Sequence, residues 1–153
     1  MTEGGDFERV IWARLVTEHE VKEEPKLFDY SVATDKEFSQ AVSDLKQALG
    51  QVKFGVLWEL DVPAKLKEKG VEYQGPFRIL EVCNPHHAKK ALETNIRVGY
   101  FLPCKMVVYQ ENGRTRMGMV RPSMLVDMLG DKELHSFAAE VEKGLLAALE
   151  EAK

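Results

Sequence analysis

The sequence predicts a two-layer α+β fold, a mainly antiparallel sheet with helices packed on one face. Three observations carry that expectation. From Leu27 onward, segments with alternating apolar residues are interleaved with segments of helical period. The link before Phe77 is too brief for a parallel crossover helix, which favours antiparallel pairing there. Asn112-Gly113 sits between two alternating runs and is a strong hairpin signal.

The elements follow in order. In Met1 to Pro25, Asp6 can cap a helix carrying Phe7, Val10, Ile11, Leu15 and Val16, while Val10-Ile11-Trp12 suits a strand equally. Glu20 to Lys26 reads as a charged linker, so residues 1–26 form an extension and 27–153 a single α+β domain. Phe28, Tyr30 and Val32 alternate as a strand to about Ala33. Thr34 with Glu37 forms a capping box, and Phe38, Ala41, Val42, Leu45 and Leu49 continue at helical spacing until Gly50 closes the helix.

Phe54, Val56, Trp58, Leu60 and Val62 predict an unbroken half-buried strand. Pro63 to Gly70 is a short lysine-rich helical turn. Gly75-Pro76 introduces a strand from Phe77 to Cys83, and Asn84-Pro85 starts a helix by capping and by proline at its first position. Ala88, Ala91, Leu92 and Ile96 give that helix its buried face, and Gly99 ends it. Met106 to Glu111 and Arg114 to Val120 are the hairpin strands. Asp131 caps a last helix with Leu134, Phe137, Ala138, Val141, Leu145 and Leu149 on one side.

Composition narrows the function. The chain has 153 residues, 44% of them apolar, enough for one domain with a real core. A net charge of −4 without a basic block argues against nucleic acid and anionic membrane as partners. Two cysteines are too few for a disulfide scaffold, and their spacing makes no zinc finger. The charged start holds no signal-peptide core, and no apolar run reaches membrane-spanning length. The expected location is the cytoplasm.

Reactive side chains concentrate in Glu81-Val82-Cys83-Asn84-Pro85-His86-His87, with Cys104 following Leu102-Pro103. No phosphate loop, dinucleotide fingerprint, nucleophile elbow, zinc-protease helix or calcium loop is present. Cys83 precedes a helix N-terminus, where free amides and the helix dipole favour thiolate. Continued to its end, the hairpin register sets Cys104 opposite Arg121, a second environment that favours thiolate. Against this stands simple packing, because free cysteine is among the most buried residue types. Cys83 and His86 have a spacing that suits two ligands of one metal ion, yet no metal site is expected. His86 and His87 point about a hundred degrees apart around a helix, so at most one turns toward Cys83.

Three other groups read more simply. Glu59 and Glu81 can be paired carboxylates, but on alternating strands they first indicate a sheet face partly open to water. Met106, Met117 and Met119 suit core packing or an apolar pocket wall. Lys65, Lys67 and Lys69 form a solvated face.

The stretches Phe54-Gly55-Val56-Leu57-Trp58-Glu59, Ile79-Leu80-Glu81-Val82-Cys83-Asn84-Pro85 and Leu102-Pro103-Cys104 together carry a resemblance. With the Asn112-Gly113 hairpin and Arg121-Pro122, they resemble the domain of unknown function 302 family from about Phe28 to the last helix. The resemblance implies the same two-layer domain and a homodimer. It brings no agreed activity and no cofactor, and the extension before Phe28 departs from the family pattern.

The expected function is a dimeric ligand-binding or regulatory module for a small molecule, with a cleft near Cys83 and Cys104. Glu81, Cys83, Asn84, His86, Cys104 and Arg121 are its expected ligand-binding residues. The alternative is a thiol-dependent or metal-assisted enzyme using Cys83, Cys104 and a nearby histidine.

Overall fold

The computed structural model describes residues 27–153. The extension, with its helix-or-strand alternative, lies outside the described residues. The elements are β1 (Asp29–Thr34), α1 (Phe38–Gln51), β2 (Gly55–Asp61), α2 (Val62–Glu68), β3 (Phe77–Cys83) and α3 (Pro85–Thr94). A 3-10 segment (Ile96–Phe101), β4 (Cys104–Glu111), β5 (Arg114–Val120), α4 (Pro122–Asp127) and α5 (Lys132–Ala152) complete the chain. The five strands form one sheet in the order β1-β5-β4-β3-β2, with every neighbouring pair antiparallel. The predicted α+β class holds, with helices packed on the sheet.

Strand parity decides which residues meet the helices. Leu80, Val82, Met106, Val108, Met117 and Met119 share the covered face and are buried. Ala41, Leu45 and Leu49 of α1 and Leu145, Ala148 and Leu149 of α5 close over them in one core cluster. The three methionines are therefore core packing. Each fully buried leucine in this set contributes roughly 1.5–3 kcal/mol. A smaller cluster, Ala91, Val98, Val126, Leu134 and Ala138, lies under α3, the 3-10 segment and α4. Phe137 packs against both clusters.

Local chemistry sets the ends of the elements. Asn112 (φ 52°) and Gly113 (φ 77°) both take positive φ, as a two-residue hairpin loop requires. Its register pairs Glu111 with Arg114, Val108 with Met117 and Met106 with Met119, as the sequence predicts. Gly118 is closely packed: an added Cβ would stand 3.0 Å from the Ser31 Cβ and 3.1 Å from the Tyr30 carbonyl oxygen, so β1 would have to give by a few tenths of an ångström. Asn84 Oδ1 accepts from the His86 and His87 amides, and Asp131 accepts from those of Glu133 and Leu134, so both predicted caps form.

Several boundaries differ from the expectation. Glu37, not Thr34, caps α1, its carboxylate accepting from the Ser39 and Gln40 amides. Thr34 is instead the buried end of β1, and its hydroxyl accepts from the Lys36 amide. Gly50 stays helical, and Lys53 (φ 69°) is the left-handed residue after the helix. The helix begun by Asn84 stops at Thr94, because Asn95 is extended (φ −155°) and its side chain caps the 3-10 segment. Ile96 is thereby 80% exposed and Leu92 40%, rather than facing the core. The helix α4 went unpredicted, although Pro122 at its first turn is a start signal.

The largest correction lies in β2. Val56 pairs with Val82 and Trp58 with Glu81, so Leu57 is an extra residue, a bulge. Beyond it the strand reverses its faces: Glu59 points to the helix side and Trp58 to the open face, 54% exposed. Glu59 pairs there with Lys46 of α1 and Arg78 of β3. Glu81 lies on the open face paired with Lys105, so the two glutamates are not a carboxylate pair.

Candidate functional site

A cavity of about 380 Å³ opens where the two core clusters meet. Its floor is the end of β3 and β4, represented by Val82 and Cys104. Ala88 and Ala91 of α3 form one wall, with Leu134, Ala138 and Val141 of α5 forming another. The small side chains at 88, 91 and 138 leave the space between the helices unfilled. Tyr100 and Phe101 of the 3-10 segment and Leu125 of α4 complete the lining. Tyr100 is 87% exposed, which places it at the mouth.

Four of the six expected site residues border this cavity: Glu81, Cys83, Asn84 and Cys104. Val82 is the direct partner of Cys104 across the β3–β4 ladder, so the two cysteines occupy neighbouring rungs at one end of the sheet. Both thiols are free. Parity sets Cys104 on the covered face, packed against the main core, with Cys83 on the opposite one.

His86 and Arg121 are elsewhere. His86 is exposed in the first turn of α3, and it is His87 that lines the cavity. The hairpin pairing ends at Met106 with Met119, because Arg121 leaves the ladder to precede Pro122 in α4. Its amide donates to the Phe28 carbonyl at 2.8 Å, and its guanidinium lies 5.9 Å from the centre of the Tyr30 ring. Arg121 therefore gives Cys104 no cation.

The electrostatics follow from burial. Burial, then the charges of Cys83 and Glu81 in their ionised forms, push the Cys104 thiol up to about 11. Burial also raises the Cys83 thiol, despite the helix N-terminus beside it. Asn84 already occupies the His86 and His87 amides that would have favoured a thiolate. Burial holds both sulfurs toward the thiol form, which supports the packing reading over the thiolate one.

His87 has the most unusual surroundings. Its ring meets Phe54 edge-on (centroids 5.9 Å, 62°) and Phe137 likewise (5.4 Å, 89°). Nδ1 is buried without a hydrogen-bond partner. Sequence reading passed over this residue because adjacent histidines look alike. The cap offered a signal, since it fixes the helical phase of both. Among the described residues, no three His, Cys, Asp or Glu side chains come together to hold a metal ion. Nor is any helix there long and apolar enough to cross a membrane.

The family model described as "Domain of unknown function DUF302" matches residues 30–152. The chain belongs to the DUF302 family. A solved relative is the uncharacterized conserved protein DUF302 from Bacillus stearothermophilus, 47% identical with a TM-score of 0.80. The match covers 83% of this chain and 99% of that one. No curated protein matches the chain. The DUF302 match begins one residue after the start of β1 and ends with the last residue of α5, so it spans all but the first residue of the described sheet and all the described helices.

Proposed function

We propose that this DUF302 domain is a ligand-binding or regulatory module whose cavity at the Cys83–Cys104 corner takes a small, largely apolar molecule. The observation that carries the reading is the cavity itself: about 380 Å³, walled mainly by aliphatic and aromatic side chains, with a few polar groups at one end. An engineered apolar cavity of roughly 150 Å³ is enough to bind benzene, so this one has room for a molecule of two or three rings. The thiol-enzyme alternative loses its chemical support, since both thiols are held protonated and Arg121 is turned away.

The test uses an uncharged fluorescent probe, N-phenyl-1-naphthylamine. It should brighten and saturate on the wild-type protein. Ala91→Phe, which places a ring in the cavity from α3, should weaken binding more than tenfold while the circular dichroism spectrum is retained. Equal binding by the variant, or none by the wild type, rejects the reading.

We further infer that the module is a homodimer whose copies meet through the open face of the sheet. Trp58 projects from this face, where Phe77 and Tyr109 stack with centroids 5.6 Å apart. The charged groups around it are already paired, Glu81 with Lys105 and Glu111 with Arg116. A second copy of the same face therefore brings no uncompensated charge against it.

A further inference from the structure

The cavity's lining also constrains the chemistry of what enters it, an argument that rests on the ligand-binding reading above. Glu81 and Lys105 are the only carboxylate and ammonium groups at its margin among the described residues, and they pair with each other. A charged ligand would leave water for apolar walls, and the ammonium of Lys90, 5.3 Å from the centre of the Phe137 ring, is not among the groups that line the cavity to meet it. Rings are abundant: Phe54, His87, Tyr100, Phe101 and Phe137 all contribute to the lining. Flat aromatic molecules gain edge-on and offset contacts from such a set.

His87 supplies the polar contact. Its buried Nδ1 has no partner, and a buried N–H donor without an acceptor is costly. The tautomer with its proton on Nε2 avoids that cost and leaves a lone pair on Nδ1. Phe54 and Phe137, which bracket the ring, line the same cavity. His87 is itself a lining residue, and among the lining residues its Nδ1 is the one buried side-chain nitrogen or oxygen without a hydrogen-bond partner.

We propose that the ligand is a neutral, flat aromatic molecule of two or three rings carrying one hydrogen-bond donor, which His87 Nδ1 accepts. The donor replaces the hydrogen bond that the folded chain denies this nitrogen. Specificity then comes from one atom in an otherwise apolar chamber.

Three probes of nearly equal shape separate the contributions: 2-naphthol, 2-methoxynaphthalene and 2-naphthoate. Each competes against N-phenyl-1-naphthylamine at about pH 8, where an imidazole is neutral. The wild type should prefer 2-naphthol to the ether by about tenfold, the worth of one good hydrogen bond. It should disfavour the carboxylate by at least about as much. In His87→Phe the ether should still bind and the naphthol preference should vanish. In His87→Gln, whose amide oxygen again accepts, the preference should return in part.

Carboxylate binding as tight as naphthol binding, or a naphthol preference that survives His87→Phe, overturns the inference and leaves the apolar-cavity reading intact. The wild-type comparison stands without either variant folding. Failure of all three probes and of the fluorophore would reject the cavity as a site altogether.

Discussion

Cys104 stands directly across the β3–β4 ladder from Val82, on the helix-covered side of the sheet. A sulfur there is shielded from water, and its ionisation is opposed by burial first and by Cys83 and Glu81 second. This arrangement ties a single thiol to the alkaline limit of the fold.

The folded chain binds the Cys104 proton more tightly than the unfolded chain does. Its stabilising contribution is complete below the ordinary thiol value of 9.0 and is lost as pH rises toward about 11. Denaturation midpoints should fall across that window by the equivalent of roughly 2 kcal/mol. Cys104→Val should flatten the fall, measured by urea titration at intervals of pH. Alkylation of Cys104 at neutral pH should be slow in the native protein and unchanged by Arg121→Gln. Fast native labelling would contradict the burial argument.

Glu59 sets an acid limit by the opposite sign. Burial works against its ionisation, but Lys46 and Arg78 outweigh burial and hold the carboxyl below its usual range. Stability from this group is present above the unfolded carboxylate value of 4.5 and is lost as pH falls through the lower folded value. Glu59→Gln should lower stability at pH 7 by roughly 1 kcal/mol, partial exposure having weakened the pairs. It should also lessen the acid sensitivity, and urea titrations at neutral and acid pH would check both effects. An unchanged acid transition would show that other carboxylates dominate it.

Trp58 tests the dimer. A charge at the centre of an apolar face-to-face contact is buried unpaired, so Trp58→Glu should shift the equilibrium toward monomer. Light scattering should show the mass halved, with the melting temperature of the dilute protein little changed because Trp58 is half-exposed in the isolated chain. A wild-type monomer at high concentration, or a variant that still dimerises, removes the open face as the interface.

Much of this fold was legible because its signals were local. The Asn112-Gly113 turn set the hairpin register, and Asn84 and Asp131 set two helix starts. What failed depended on distant partners. Nothing in the run from Phe54 to Val62 marks Leu57 as extra, since a bulge is defined by the strand opposite. The site was half legible for the same reason. Chain proximity brought Glu81, Cys83 and Asn84 to the cavity, and strand pairing brought Cys104. Arg121 was misplaced by extending a ladder through a residue that Pro122 draws into the next helix, and the choice between His86 and His87 required the packing of Phe54 and Phe137.

The extra residue at Leu57 also governs how the sheet can grow. β2 is an outer strand, and its free amides and carbonyls would otherwise offer a regular template to another chain. With one residue inserted, the spacing of those groups is broken midway along the strand, and a neighbour in register on one side of Leu57 is out of register on the other. The β2 edge is therefore a poor seed for fibrillar stacking. Strand addition is thereby interrupted along this edge, whereas β1, the other outer strand, keeps an unbroken register from Asp29 to Thr34.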